Sequence, residues 1–250
     1  MQLFKQFYGV KPAGIVHVGA HLAEEYPEYE NTFMVEEGVS CVWIEPQPEK
    51  VAILRELFSE NPRSKAIEAL AWSEDGYELT LKITNKSASS SIFDLGDHKT
   101  LYPDIEVVGQ MSIKTSSLEQ ILTSKDICDL LVLDTQGSEL EVIKGLGSRL
   151  AEVKWIFTEV SRRPLYEGGV LYPEIKTYLE QNGFKVKFVE WDRRAGWGDA
   201  LFIRKELWNS DFTLAVGRTI HWLYRRIYGR IPQVLFPKLV YLKNLLRRCL

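Results

Sequence analysis

Short apolar runs alternate with longer amphipathic stretches along most of this chain, and this alternation constrains its fold more than any other feature. Residues 14–19 have the sequence GIVHVG, and residues 129–134 have the sequence DLLVLD. Runs this apolar, without a polar residue at every second position, are typical of strands that are covered on both faces. Strands that alternate with helices predict an α/β fold on a mainly parallel sheet with right-handed crossovers.

The remaining elements follow from the same patterns. Further strands are predicted at residues 40–45, 65–72, 77–83, 110–115, 154–160, 184–190 and 200–204. Helices are predicted at residues 24–37, 47–58, 117–122, 138–146 and 172–182. The short connection between the last two strands favours an antiparallel pair at the C-terminal end. Residues 84–109 are polar and serine-rich without a period, which predicts a long loop of the kind that often serves function.

The charge of the chain is unevenly distributed. Of the 31 lysines and arginines, eight lie in residues 212–250, so 23 remain against all 34 acidic residues in the rest of the chain. We therefore predict one domain over residues 1–210 and a basic, aromatic extension over residues 211–250, in which Pro232 and Pro237 separate short helices. Basic and aromatic residues together are typical of a helix in the membrane interface. Docking on the acidic body and a homodimer contact are the alternatives.

Targeting signals and cysteines indicate the compartment. The first 14 residues are too short and too polar for a signal peptide, and no run of 18 uncharged apolar residues exists. We expect a cytoplasmic protein without a transmembrane helix, whose extension makes a peripheral contact with the inner membrane face. Cys41, Cys128 and Cys249 have no paired spacing and indicate neither a disulfide framework nor zinc. Cys41 and Cys128 lie in apolar runs and should be buried.

The ends of the first two strands indicate a nucleotide site. In open α/β sheets, ligands bind beyond the carboxyl ends of the strands, where the strand order reverses. The first strand ends at Gly19, which allows a tight turn, and the second ends at Glu45. An acid roughly 20 residues after such a turn can accept hydrogen bonds from a ribose. The turn continues with Ala20 and Ala23, without the repeated glycines of a dinucleotide fingerprint. An ordinary turn with a surface glutamate is the simpler alternative.

Four segments together resemble the FkbM family of S-adenosylmethionine-dependent methyltransferases. They are VHVGAH at residues 16–21, WIEPQP at 43–48, LDTQGSE at 133–139 and VIKG at 142–145. The resemblance covers about residues 14–204. It implies a Rossmann-like, seven-stranded methyltransferase fold, S-adenosylmethionine as cofactor, and O-methylation of a sugar, glycan or natural product.

The chain departs from the pattern of that family at four positions. His17 stands where the family often has Asp, and His21 stands where it often has Asn. Ala23 replaces a glycine, and Gln136 replaces a glutamate. These departures keep open the alternative that the chain is a catalytically inactive, methyltransferase-like scaffold. A second alternative is an NAD(P)-binding oxidoreductase on a related nucleotide fold.

Motifs and predicted strand ends lead to a set of candidate site residues. Those assigned to the cofactor are His17, Gly19, Ala20, His21, Glu45, Pro46, Ala71 and Asp134. Those assigned to catalysis are Asp134, Glu159 and His98. A hydroxyl acceptor must lose its proton, and carboxylates at strand ends or a loop histidine can take it. No metal site is assigned, although Asp134 and Glu159 could share a divalent cation. A helix cap at Asp134 and a solvated loop position for His98 are the structural alternatives.

Three loops at the same edge should bind a small-molecule or glycan acceptor, namely residues 84–109, 161–170 and 191–199. Their aromatic faces and arginine side chains suit a sugar attached to a phosphate. The side chains concerned are Arg162, Arg163, Tyr166, Trp191, Arg193, Arg194 and Trp197. Nucleic acid is not expected as a partner, because the body is acidic and phosphate backbones attract basic grooves.

Overall fold

The computed structural model describes residues 10–33, 38–192 and 194–210. Its strands are β1 (Gly14–Val18), β2 (Ser40–Glu45), β3 (Ser64–Glu68), β4 (Leu70–Trp72), β5 (Glu78–Thr84), β6 (Asp94–Leu95), β7 (Val107–Ser117), β8 (Leu130–Leu133), β9 (Trp155–Ser161), β10 (Tyr166–Glu167), β11 (Phe184–Trp191) and β12 (Trp197–Arg204). Its α-helices are α1 (Tyr26–Thr32), α2 (Pro48–Leu57), α3 (Asp97–Leu101), α4 (Leu118–Ile121), α5 (Glu139–Lys144) and α6 (Tyr172–Gln181). Short 3-10 turns occupy Ser87–Ser89, Gly147–Ala151 and Lys205–Ser210.

Seven strands form the central sheet in the order β11-β12-β9-β8-β1-β2-β3. The pairs from β9 through β8, β1 and β2 to β3 are parallel, and β12 is antiparallel to both of its neighbours. This arrangement confirms the predicted Rossmann-like α/β fold with an antiparallel strand at its C-terminal end. The order reverses between β1 and β8, which is the place where such sheets bind ligands. The predicted helical extension, residues 211–250, lies outside the described residues.

Helices cover both faces of this sheet, as the uninterrupted apolar runs predict. All residues of β1 and β8 are buried. On one face, Val142 of α5 and Leu179 of α6 pack against the strands. On the other face, Tyr29 of α1 and Leu54 of α2 do the same. Removing such a large apolar side chain from water stabilises the fold by about 1.5–3 kcal/mol, so the sheet is a rigid base for the loops at its edge.

Several predicted elements differ from the structure, two of them substantially. The predicted strand at residues 65–72 is two strands, because the chain turns at Ala69, whose N–H donates to the Glu45 carbonyl. Beyond that turn β4 leaves the central sheet and pairs with β7 in a three-stranded sheet that also contains β5. The predicted loop at residues 84–109 contains a 3-10 turn, β6 and α3. Short elements of this kind leave no period in the sequence.

The burial of two cysteines and the absence of a transmembrane helix are also predicted from the sequence. Cys41 and Cys128 are buried free thiols, as predicted, and Cys249 lies outside the described residues. Among the described residues, no helix is both long and apolar enough to cross a membrane.

Candidate functional site

A narrow pocket lies at the carboxyl ends of β1 and β2 and the start of β4, and has a volume of about 60 Å³. The residues that define it are Gly19, His21, Glu45, Pro46, Gln47, Lys50, Ala71, Asp134 and several side chains of residues 87–92. Gly19 has a φ of 81°, which only glycine adopts without steric cost. A Cβ at position 19 would collide with the carbonyl oxygen of Asp134. Glycine therefore allows β1 and β8 to come together at the floor of the site.

Glu45 is the buried anion of the narrow pocket. Its Oε2 accepts a hydrogen bond from the His21 N–H at 3.0 Å, and its Oε1 accepts from the N–H of Gln47 at 3.2 Å. Burial raises the pKa of Glu45, and the nearby charge of Lys50 opposes that rise. Gln47 brings a further acceptor, because its side-chain Oε1 is buried and has no hydrogen-bond partner. The pocket thus presents a carboxylate and an unsatisfied amide oxygen to any ligand with hydroxyl or amine donors.

A serine-rich strap, residues 86–93, closes the narrow pocket. The Ser87 hydroxyl lies 2.8 Å from Nε2 of His21, and the Lys50 ammonium donates to the Ser87 carbonyl at 3.2 Å. At the other end, the Ser91 hydroxyl donates to the Gln136 carbonyl at 2.7 Å. From sequence, this stretch is predicted only as part of a long loop. Its signal was composition, a run of serines without period, and composition alone does not show where a loop lies.

Six of the eight residues assigned to the cofactor line the narrow pocket, and His17 and Ala20 do not. His17 is buried, stacks on Trp43 with ring centroids 5.0 Å apart and contacts the Tyr29 hydroxyl through Nδ1 at 3.0 Å. Burial lowers the pKa of His17 to about 4, so it is neutral near pH 7. Ala20 is buried in the core beneath the turn. His17 instead contributes to the wall of the neighbouring cavity.

A wide cavity of about 530 Å³ adjoins the narrow pocket across Asp134 and Gln136. Carboxylates and aromatic rings from distant parts of the chain line it. They include Glu25, Glu28, His98, Tyr102, Asp134, Phe157, Glu159, Tyr166, Trp197 and Asp199. All three residues assigned to catalysis are among them, so the fold places positions 98, 134 and 159 in the wall of one cavity. Their roles stay predictions.

Gln136 is the centre of a polar cluster between the two spaces. Its amide nitrogen donates to Asp134 Oδ1 and to Glu159 Oε2, the latter at 3.3 Å. Its amide oxygen accepts from the Tyr166 hydroxyl. The residue has a φ of 54°, an uncommon conformation for a side chain other than glycine. A neutral amide is suited to this position, because it donates to two carboxylates and accepts from a phenol at once.

The carboxylates of the wide cavity repel one another. Asp134 opens onto the cavity but is surrounded by protein, and this burial raises its pKa. Burial and the charge of Asp134 raise the pKa of Glu159 well above its ordinary value. The same two causes raise the pKa of Asp199 to about 6. Groups with shifted pKa values in a cleft are candidates for proton transfer.

His98 and Glu139 complete the surroundings of this cluster. His98 is 6% exposed, and its Nδ1 has no hydrogen-bond partner. Burial lowers the pKa of His98, so its imidazole is neutral near pH 7. Glu139 is buried, and its Oε1 accepts from the N–H groups of Thr135 and Gly137, both at 3.1 Å. It holds the turn that carries Gln136.

The loops predicted to bind the acceptor contribute aromatic side chains and turn their arginines elsewhere. Tyr166 and Trp197 line the wide cavity. Arg162 stacks over Trp191, 3.9 Å from the ring centroid, and Arg163 pairs with Asp97 at 3.1 Å. Neither of these arginines lines the cavity, nor does Arg194, and Arg193 lies outside the described residues. The predicted recognition of a phosphate by arginine forks therefore has no support in the described cavity wall.

Candidate metal ligands were also considered. Over residues 10–33, 38–192 and 194–210, no group of three or more His, Cys, Asp or Glu side chains is arranged to hold a metal ion.

A comparison with protein families gives a match that covers most of this chain. Residues 17–186 match the model of the methyltransferase FkbM domain. The 2-O-methyltransferase NoeI of Sinorhizobium fredii is 28% identical over 133 residues, which cover 50% of this chain and 54% of NoeI. The match thus spans about half the length of that relative. Two solved structures superpose on most of this chain.

A SAM-dependent methyltransferase from Aquifex aeolicus superposes with a TM-score of 0.46 and 15% identity, over 81% of this chain and 88% of its own. Fibrillarin from Aeropyrum pernix, solved with S-adenosyl-L-methionine, superposes with a TM-score of 0.44 and 9% identity, over 77% of this chain and 67% of its own.

Proposed function

This chain belongs to the FkbM family of S-adenosylmethionine-dependent methyltransferases, and we propose that its methyl acceptor is a hydroxyl group of a sugar, glycan or natural product. Family membership favours methyl transfer over the nicotinamide-dependent alternative. The observation that carries the proposal is the junction of the two spaces, where Asp134 borders both the narrow pocket and the wide cavity. A carboxylate at such a junction can receive the proton of a hydroxyl held in the wide cavity.

The residues of the narrow pocket fit S-adenosylmethionine by their chemistry. Glu45 and the unsatisfied Oε1 of Gln47 offer acceptors for ribose hydroxyls, and Gly19 leaves the main chain accessible. The serine-rich strap borders this pocket, where Ser87 contacts His21 and Lys50, and we expect it to adjust when the cofactor binds. The hydrogen bonds that fasten it contribute about 0.5–1.5 kcal/mol each and can be exchanged for contacts with a ligand. When bound, this cofactor supplies an electrophilic methyl group.

Asp134 is our candidate for the proton acceptor. As the acceptor oxygen gains a methyl group it must lose its proton, and a nearby carboxylate can take it. Glu159 shares hydrogen bonds with Asp134 and with Gln136, and mutual repulsion favours one proton on the pair. The ionised member then receives the proton from the hydroxyl. His98, neutral and unpartnered at Nδ1, would position the same hydroxyl or take its proton instead.

A sugar-like acceptor suits the wall of the wide cavity. Tyr102, Tyr166 and Trp197 line it, and aromatic faces pack well against sugar rings. The printed name of the relative NoeI specifies a 2-O-methyltransferase, which supports a hydroxyl acceptor here. The match covers about half of each chain, which is too little to extend the particular acceptor of NoeI to this chain.

The proposal is tested by incubating the full chain with methyl-labelled S-adenosylmethionine and a panel of glycans and hydroxylated natural products, followed by mass spectrometry. We expect a mass gain of one methyl group on oxygen in at least one acceptor. The Asp134→Asn variant is the matched control, because it preserves shape and removes the carboxylate. Label on nitrogen or carbon alone would reject the O-methyl assignment. A parallel reaction with EDTA tests the shared divalent cation, and activity that survives chelation excludes it.

For the extension at residues 211–250 we also propose a peripheral membrane contact, supported by its basic and aromatic composition. Anionic lipids would add roughly 1 kcal/mol per basic residue near the surface. Co-sedimentation with anionic liposomes, comparing the full chain with residues 1–210, tests this contact. Equal partitioning of the two would reject it, and loss of folding on truncation would favour docking on the body. Size-exclusion chromatography of both forms tests the homodimer alternative.

A further inference from the structure

The described lining of the wide cavity holds more acidic than basic side chains, with five carboxyl groups and one lysine. Glu159 of β9 and Asp199 of β12 are direct partners across an antiparallel strand pair. Side chains at such positions lie on the same face about 4.5–5.5 Å apart at Cβ, where like charges destabilise the sheet. Asp134 lies beside them at the end of β8. A protein that keeps three carboxylates together in a cleft has a cost in stability, and a ligand of opposite charge would remove it.

We propose that the acceptor bears a positively charged amine close to the hydroxyl that is methylated, as an aminosugar does. The inference rests on the proposed function of the same site and narrows its substrate class. In the described part of the chain, none of the salt bridges involves Asp134, Glu159 or Asp199. Lys86 is the single lysine or arginine in the described lining, and it is exposed.

A second observation points independently to a ligand. His98 is more than nine-tenths buried in the lining of this cavity, and its Nδ1 has no partner. Burial disfavours the charged imidazole, so one ring nitrogen is an acceptor. An unsatisfied buried polar atom is costly and is usually met by a ligand or water. An ammonium group or a hydroxyl is the kind of donor that a neutral histidine can receive.

Aromatic rings strengthen the preference for a cation. Trp197 donates from Nε1 to the Tyr102 hydroxyl at 3.2 Å, which joins two rings of the cavity wall. Faces of tryptophan and tyrosine attract ammonium groups. Meanwhile Arg162 is stacked on Trp191 and Arg163 is paired with Asp97, so neither is placed to receive an anion. An acceptor with a phosphate or carboxylate would instead meet the negative charge that these carboxyl groups keep after one proton is bound to the Asp134 and Glu159 pair.

Isothermal titration calorimetry with three sugar probes of similar size tests the proposal. The probes are methyl glucosaminide, which is cationic, methyl N-acetylglucosaminide, which is neutral, and methyl glucuronide, which is anionic. Each is titrated at pH 7 into the full chain saturated with S-adenosylhomocysteine. Because a hydrogen bond to a charged group is stronger than a neutral one, we expect the cationic probe to bind about tenfold or more tighter than the neutral probe. The anionic probe should bind weakest.

Two variants show whether the cavity carboxylates are the cause. Asp199→Asn keeps the shape of the side chain and should reduce the preference for the cationic probe to about threefold or less. If that variant fails to fold, Glu25→Gln removes another acidic side chain from the lining of the same cavity. The control is Glu180→Gln, which makes the same charge change on the exposed side of α6 and should keep the full preference.

The outcomes separate this proposal from the proposed function. A cationic probe that binds no tighter than the neutral one, including the case in which neither binds, overturns the charge preference. A preference that persists in Asp199→Asn and Glu25→Gln also overturns it, because the carboxylates would then not be its source. Methyl transfer to a neutral hydroxyl compound in the labelled panel would leave the proposed function standing in either case. Absence of any O-methyl product would reject the proposed function by itself.

Discussion

The narrow pocket and the wide cavity share a border but are built in different ways. The narrow pocket is formed mostly by the ends of strands and the turns that follow them, and its buried anion, Glu45, has Lys50 nearby. The wide cavity gathers side chains from loops and strands far apart in the chain, and burial together with the charge of Asp134 raises the pKa values of Glu159 and Asp199. The carboxylate of the first has two N–H donors and a nearby ammonium group before a ligand enters, whereas the carboxylates of the second lie mainly beside one another.

This difference indicates that the two spaces bind different kinds of ligand. Hydrogen bonds from the N–H groups of His21 and Gln47 fix the Glu45 carboxylate, which suits a ligand that is the same in every reaction. The wide cavity depends on a proton, or on its ligand, to relieve repulsion. A site of that kind is sensitive to pH and to the charge of what it binds. Substitutions confined to one space should therefore change cofactor binding and turnover separately.

The largest expected effect is that of Asp134→Asn on turnover. Loss of a group that takes a proton in the reaction slows it by about 10²–10⁴-fold. We expect kcat to fall by this amount and S-adenosylmethionine affinity to change by less than about threefold, because Glu45 and Gln47 are untouched. Calorimetry and a labelled-methyl assay on the same preparation measure both. Near-native kcat would remove Asp134 from the mechanism.

Glu45→Ala should give the converse result. Charged hydrogen bonds contribute about 1.5–3 kcal/mol, so S-adenosylmethionine affinity should fall by roughly ten- to a hundredfold. Glu49→Ala is the matched control, since Glu49 lies exposed on the adjacent first turn of α2. Binding of sugar probes in the wide cavity should not change. A folded variant with native affinity would mean that Glu45 does not contact the cofactor.

Gln136→Glu adds a further carboxylate at the border between the narrow pocket and the wide cavity. It tests whether the Asp134 and Glu159 pair sets the pH dependence of the reaction. The amide that donates to Asp134 and Glu159 is lost, and the new charge raises the pKa of both. If the ionised pair takes the proton, activity increases with pH through that pKa, so the rising limb moves to higher pH by about one unit. The pH dependence of kcat measures it. A limb that stays in place while kcat falls would indicate a merely structural role.

The smallest effect concerns the turn of the narrow pocket itself. Ala20 and Ala23 are both buried, but Ala23 alone has a positive φ, of 56°. Ala20→Gly loses a buried methyl group and adds chain entropy to the unfolded state, a cost of about 1–2 kcal/mol. Ala23→Gly has the same losses but relieves roughly 1–2 kcal/mol of backbone strain. Its free energy of unfolding in urea should stay within about 0.5 kcal/mol of the native value. Equal losses in the two variants would show that the turn is not strained.

The sequence predicts the residues of the narrow pocket more completely than those of the wide cavity. Gly19 and Glu45 follow apolar runs directly, so the end of each strand marks them without knowledge of the tertiary fold. Asp134 and Glu159 are marked in the same way. The sheet with its antiparallel C-terminal strand follows from the alternation of elements, because burial on both faces leaves a visible pattern.

Asp199, Gln136 and the serine-rich strap do not directly follow an apolar run, so no local sequence pattern identifies them as site residues. Asp199 lies near the start of β12, which is antiparallel, and its place at the ligand edge follows only from that orientation. An acid near the start of the last strand was the available signal. Gln136 depends on a turn with a positive φ, and the serine-rich strap depends on contacts with His21 and Gln136 that cross long stretches of chain. Local sequence patterns do not encode contacts of this range.

The pairing of β1 with β8 also has a kinetic consequence. Val16 lies opposite Leu131, and the N–H of Asp134 donates to the Val18 carbonyl at 3.0 Å. Closing a loop of roughly 115 residues costs entropy before its contacts return any stabilisation, so pairs of this range tend to form late. Gly19 and Asp134 meet in that same step. During synthesis, the strands and helices up to residue 129 can therefore assemble without a floor for the site. Methyl transfer becomes feasible only once β8 has paired with β1 beside β2 and β3.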